Sequence, residues 1–142
     1  MQVFGMLLAG LVFAATPLNP TALQYNQSLQ VPCAVNGDSG TCALDTGSTV
    51  ALTMNPLQAK IARVTCSQQV KVEGVTGVGA GCLGTTSLTM GGITVTVPVE
   101  IDDSYTWVPL VGVPALEEVW PQGFTVEWQA AEIVPVEGRV QR

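Results

Sequence analysis

The sequence predicts a small all-β domain, a closed or sandwiched set of short strands with one or two short helices. Three observations carry this. Valine and threonine recur in short alternating runs, as in Ile93-Thr94-Val95-Thr96-Val97, the pattern of a half-buried strand. Fifteen glycines and nine prolines punctuate the chain at short intervals, which leaves room for strands and turns but not for long helices. Finally, 142 residues suit one domain and are short for two. No internal repeat is apparent.

The elements follow in chain order. Val3 to Ala15 is almost wholly apolar and is broken by Thr16-Pro17. It is too short for a bilayer, which needs about 20 residues, and matches the apolar region of a secretory signal. Met1-Gln2 supplies no basic residue before it. Residues 1–16 are expected to be a signal-like or anchor segment, and any membrane contact runs through it if it is uncleaved. Residues 17–28, with Pro17, Asn19, Pro20, Asn26 and Gln27, read as a linker.

The folded body is expected over 29–134. Leu29–Val35 alternates towards a turn at Asn36-Gly37-Asp38-Ser39-Gly40, and Thr41–Leu44 leaves it. Thr49–Met54 is another apolar stretch. Asn55-Pro56 opens a short helix over Leu57–Val64, with proline in its first turn. Val70–Glu73 alternates and meets Gly74–Gly81, a run too glycine-rich for a sheet interior. Leu83–Met90 recovers strand character, Gly91-Gly92 makes a hairpin turn, and Ile93–Val97 returns. Trp107–Val111 is a short apolar run that ends at Gly112, Pro114–Trp120 one or two helical turns, and Phe124–Trp128 the last strand. Residues 135–142 are a tail.

Composition narrows the function. Hydrophobic residues make up 47% and charged residues only 11%, where a soluble domain carries roughly 25% charged. This argues against disorder. A net charge of -6 offers no basic face to nucleic acid. The chain has no histidine, which excludes Ser-His-Asp and Cys-His catalysis and any histidine-ligated metal. No metal site and no cofactor are expected. Chemistry falls to carboxylates, hydroxyls, thiols or the few lysines.

The four cysteines, Cys33, Cys42, Cys66 and Cys82, form no CxxC pair, so neither a zinc knuckle nor a redox motif is present. Their even number beside an export-like segment fits two disulfides and an extracytoplasmic location, periplasmic or secreted. Four reduced thiols in the cytoplasm are the alternative. A hairpin at 36–40 could set Cys33 opposite Cys42. Three pairings are possible, and spacing does not choose among them.

The segment that carries chemistry is Leu44-Asp45-Thr46-Gly47-Ser48. An aspartate at the end of an apolar strand, held in a turn by threonine and glycine, is poised rather than solvated. Taken alone, the tripeptide reads as an Asx-type turn, with Asp45 bonding the backbone amides of Gly47 and Ser48. Three companions stand in order around it: the strand and turn Leu29–Gly40 before, the run Gly74-Val75-Thr76-Gly77-Val78-Gly79 after, and Pro109-Leu110-Val111-Gly112 ahead of a short helix. With them the chain, over residues 29 to 134, resembles the retropepsin-like aspartic proteases, the single-domain relatives of pepsin.

The resemblance implies a small closed acid-protease barrel that works as half of a symmetric homodimer. It implies an aspartic endopeptidase in which two Asp45 carboxylates, one per subunit, activate a water. No second Asp-Thr-Gly exists: Asp102-Asp103 and Glu117-Glu118 read as solvated acids, and Asp38 as a turn residue. Thr46 would bond across the two-fold axis, Gly47 would admit the backbone close to the carboxylate, and Ser48 would donate to its outer oxygen. Val75, Thr76, Gly77, Val78 and Gly79 would form a mobile flap over an extended peptide substrate. Two other readings compete: a catalytically silent peptide-binding or dimerisation module of the same fold, and a secreted, disulfide-stapled β structural protein.

Overall fold

The structure is a computed structural model and describes residues 23–24, 29–74, 77–127 and 129–136. The expected segment 1–16, the flap-tip residues Val75 and Thr76, and the tail from 137 onward lie outside the described residues.

Within the stretch expected as a linker, Leu23–Gln24 forms a short strand, β1. Two strands then make a hairpin, β2 (Gln30–Val35) and β3 (Asp38–Leu44). Its turn is two residues long rather than five. Asn36 and Gly37 both take positive φ, 51° and 81°, the type I′ geometry that matches strand twist and favours Asn-Gly. The Asn36 side chain also donates to the carbonyl of Ala62 at 2.9 Å.

β4 (Leu52–Met54) leads into α1 (Pro56–Ile61). Asn55 and Gln58 exchange side chain and backbone bonds in a capping box, at 2.8 and 2.9 Å, satisfying orphan amides at the helix start. The sequence predicts this helix to Val64. It stops at Ile61 because Arg63 turns into the left-handed region at φ 58°.

β5 (Gln68–Gly74), β6 (Gly77–Met90) and β7 (Ile93–Asp102) form an antiparallel run. The expectation that Gly74–Gly81 interrupts the sheet is corrected here. Gly77 to Gly81 is continuous strand, with Gly79 opposite Val72 and Gly81 between Val70 and Asp102. Ladder bonds need only backbone, so pairing overrides the poor strand propensity of glycine. Beyond Gly81 the β5–β6 hairpin is two-stranded and stands clear of β7.

β8 (Leu110–Val111) precedes α2 (Val113–Val119), and β9 (Phe124–Glu127) precedes β10 (Glu132–Pro135). The sequence reading made 124–128 the last strand and began the tail at 135. β10 lies past that point, with Ile133 buried opposite Val126.

The large sheet runs β2-β3-β8-β4-β7-β6-β5, and pairing of β2 with β6 closes six of its strands into a barrel. A separate sheet has the order β1-β10-β9. Val31, Leu52, Leu88, Val99 and Val111 are fully buried inside the barrel. Along β7 the inward positions Val97, Val99 and Ile101 alternate with outward ones, the period of two that a one-sided sheet face requires. The fold is therefore all-β, a closed barrel with two short helices.

Candidate active site

The short strand β8 lies between β3 and β4, parallel to β3 and antiparallel to β4. The chain leaving β3 therefore arches over the end of β8 to reach β4, and residues 45–51 form that arch. Three backbone bonds fix it. Asp45 donates to Val111 at 2.9 Å, Gly112 to Ala51 at 3.0 Å, and Val113 to Ser48 at 2.9 Å. Gly112 is the contact point. A Cβ there would stand 2.0 Å from the Val50 carbonyl oxygen and 2.9 Å from that of Ser48, so no other residue fits without moving the arch.

Asp45 begins the arch and is half-buried, while Leu44 before it is buried and Thr46 after it is exposed. Its Oδ1 accepts from the amide of Gly47 at 2.8 Å, and its carbonyl from the amide of Ser48 at 3.2 Å. This is an Asx turn, and it aims the carboxylate along the arch rather than leaving it free. A Cβ on Gly47 would sit 3.3 Å from Oδ1, a tight approach that glycine relieves. The bond expected from Ser48 to the carboxylate is not the one formed. The Ser48 hydroxyl donates to the Val50 carbonyl at 3.3 Å and accepts from the Val50 amide at 3.2 Å. A turn onto its own backbone two residues on is the nearer partner.

Two residues beside the arch carry no signal in the sequence. Tyr105 donates through its hydroxyl to the Val108 carbonyl at 2.5 Å. Burial, and then the Asp45 carboxylate, push its phenol up to about 12, which places Tyr105 within the field of Asp45. Trp120 at the end of α2 is 2% exposed, and its indole Nε1 has no partner among the described residues. A tyrosine in a loop and a tryptophan in a short helix read as ordinary in sequence. Only the topology brings them to Asp45 and Thr46.

The loop holding Tyr105 also touches the β5–β6 hairpin. Asp103 donates to Ala80 at 3.2 Å, and Asp102 Oδ1 accepts from the amide and hydroxyl of Ser104. On its far side Gln58 of α1 donates to the Trp107 carbonyl at 2.7 Å. Of the expected flap residues, Gly77, Val78 and Gly79 lie in β6, opposite Gly74, Glu73 and Val72.

The cysteines pair as Cys33–Cys42 and Cys66–Cys82, with Cα separations of 5.8 and 5.7 Å. The first joins β2 to β3 on the buried face. The second ties Cys66, two residues before β5, to Cys82 of β6 at the root of the hairpin. Among the described residues no cluster of three or more His, Cys, Asp or Glu could hold a metal ion. No described helix is long and apolar enough to cross a membrane. Asp102 ends β7 and Asp103 opens the loop after it, while Glu117 and Glu118 are exposed on α2.

No protein-family profile matches the chain, and no curated protein matches its sequence. Solved structures do match. The EIAV protease, solved in complex with the inhibitor HBY-793, superposes with a TM-score of 0.58 at 16% identity, over 68% of this chain and 93% of its own. A retropepsin-like aspartic protease from Rickettsia conorii gives 0.58 at 14% identity, over 80% and 86%. The retroviral protease-like domain of Ddi1 from Leishmania major gives 0.56 at 16%, over 76% and 92%. Identities this low speak to fold alone, and on that level the closed barrel with its two short helices agrees: the chain has the retropepsin-like fold.

Proposed function

We propose that this chain is an aspartic endopeptidase that works as a homodimer. The observation that supports it most is the Asp45 arch. It is a half-buried carboxylate at the end of a buried strand, held by the Gly47 amide, in a fold whose solved neighbours are aspartic proteases.

A single carboxylate cannot act as both base and acid in one step. A second copy of the chain supplies the other, each Asp45 standing beside a two-fold axis. Two carboxylates about 3 Å apart hold one proton between them, since like charges at that distance do not both ionise. The ionised member takes a proton from a water, whose oxygen attacks the scissile carbonyl carbon. The protonated member gives its proton to the carbonyl oxygen. Collapse of the tetrahedral species breaks the C–N bond, with a proton passing to the leaving nitrogen.

Thr46, exposed next to Asp45, is the residue to meet its counterpart across the axis. Gly47 orients the carboxylate, and Ser48 acts through the shape of the arch. The β5–β6 hairpin, residues Val75 to Gly79 included, closes over an extended peptide. Its glycines allow the backbone to move. Two disulfides fit an oxidising compartment outside the cytoplasm.

The test is cleavage of a denatured protein between pH 4 and 7, with and without a statine-type inhibitor, beside Asp45→Asn. Cleavage that the inhibitor and the variant both abolish supports the reading. Equal cleavage by native and variant chains, or none from either across the range, overturns it and leaves a silent module of the same fold.

A further inference from the structure

A concavity of about 370 Å³ lies against α2 and the turn into β9, lined by Thr46, Leu116, Glu117, Trp120, Gly123 and Phe124 among others. All of its lining except Thr46 comes from the stretch 113–124. Trp120 is 2% exposed, and its Nε1 finds no acceptor among the described residues. Buried donors in folded chains are nearly always paired, so this one marks a place where an acceptor belongs. The ring packs against Phe124, with centroids 5.3 Å apart and planes inclined at 59°, which holds it in the lining.

β10 brings the chain to the same place. Pro135 pairs with Phe124, and the amide of Val136 donates to the carbonyl of Gly123 at 2.9 Å. The two strands are antiparallel. A chain that keeps this direction past Val136 runs back along Gln122, Pro121 and Trp120, three of the lining residues. Glu137-Gly138-Arg139-Val140-Gln141-Arg142 follows directly and lies outside the described residues. Extended, six residues span about 20 Å, which is more than enough to cross a concavity of this volume.

Charge and hydropathy agree with that path. Glu117 is exposed, and the six residues carry Arg139 and Arg142, two of the five basic residues in a chain of net charge -6. Val140 is their one large apolar side chain and suits a lining that holds Leu116 and Phe124.

We propose that residues 137–142 of this chain fold back into the concavity as a strap. A backbone carbonyl of the strap accepts from Trp120 Nε1, Val140 packs against the lining, and Arg139 pairs with Glu117. The strap follows the Trp120–Gly123 side and leaves Thr46 exposed. The inference goes beyond the peptidase reading and does not depend on it: the buried indole finds its partner within its own chain.

The experiment compares the full chain with one ending at Val136, both carrying Asp45→Asn so that no self-cleavage intervenes. Indole N–H resonances of 15N-labelled samples are followed at several concentrations, with oligomeric state measured by sedimentation. The Trp120 resonance is assigned by its loss in Trp120→Phe. In the full chain its signal is expected downfield and slow to exchange with solvent. Without residues 137–142 it moves upfield and exchanges at least about tenfold faster, while the Trp107 signal stays in place. Glu117→Arg produces part of the same change in the full chain, and adding Arg139→Glu to it reverses that change.

A Trp120 signal that is the same with and without residues 137–142 overturns the inference. So does one that moves only on dilution, because the acceptor then belongs to another molecule. A signal that moves on truncation but ignores both charge variants supports the strap and overturns the Arg139–Glu117 pair. None of these readouts uses cleavage, so the peptidase proposal stands or falls separately.

Discussion

The amide of Asp45 donates to the carbonyl of Val111 across 2.9 Å, although the two residues are far apart in sequence. That bond joins the end of β3 to the end of β8 and sets the height at which the carboxylate stands. Everything the site does depends on β8 being inserted between β3 and β4, and the arch over it leaves little tolerance.

Gly112→Ala tests that tolerance. The new methyl would lie 2.0 Å from the Val50 carbonyl oxygen, a distance that forces backbone to move. The expected loss is about 2–4 kcal/mol of stability, in the range of overpacking and backbone strain, read as a lower urea midpoint. Cleavage falls with it, because the displaced segment carries Ser48 and Asp45. A variant as stable as wild type would show that the arch is soft.

Tyr105→Phe isolates one hydroxyl. Removing the bond to the Val108 carbonyl is expected to lower stability by about 1 kcal/mol near neutral pH. The phenol's folded-state value is raised, by burial and by Asp45, to about 12. Its contribution is therefore full below the ordinary tyrosine value near 10 and is lost as pH climbs from about 10 to 12. Wild type should lose stability over that interval, and Tyr105→Phe should lose less. Absorbance at 295 nm checks the assignment, since the variant lacks the late-titrating step.

The β2–β3 hairpin and the Asp45 turn were legible in sequence because their signals are local. Asn36-Gly37 demands positive φ, and Asp45-Thr46-Gly47 demands an Asx turn. Leu29–Val35 and Ile93–Val97 were legible because alternation survives in strands with one wet face. The glycine run 77–81 reads as an interruption in sequence, since side-chain propensity says nothing of a partner strand such as β5 that pairs with it. β10 was missed because Glu132–Pro135 is too short to show a period and contains a proline. Tyr105 and Trp120 stand near the arch only through the crossing of β8, which no local pattern encodes. The Cys66–Cys82 pair was open for the same reason: its two halves meet through the β5–β6 register.

The disulfides differ in access. Cys33 and Cys42 are both buried in the barrel, at 8% and 0%, whereas Cys66 lies at an exposed position. Thiolate attack needs a reachable sulfur, so mild reductant is expected to open Cys66–Cys82 first. Alkylation followed by mass spectrometry should label Cys66 and Cys82 before Cys33 and Cys42. The lost cross-link closes a sequence separation of 16, and its removal is expected to lower stability by about 3 kcal/mol. Hydrogen exchange should rise first in the β5–β6 hairpin it anchors. Simultaneous labelling of all four cysteines would mean that the barrel opens before the hairpin does.

Glu100 gives the last expectation. It lies in β7 opposite Thr53 and Leu83, and burial, then the Asp102 carboxylate, push its carboxyl above the ordinary range. A raised acid opposes folding once ionised. Its contribution is fully present below the unfolded value of about 4.3 and is lost as pH rises through the folded one. Glu100→Gln cannot ionise, so it should gain on wild type as pH goes from 4 to 7. The side chain is half-buried, and screening keeps the gain below about 1 kcal/mol. Urea midpoints of the two proteins at pH 4 and pH 7 decide it. A difference between them that stays constant with pH would mean that Glu100 ionises as freely in the fold as in the open chain.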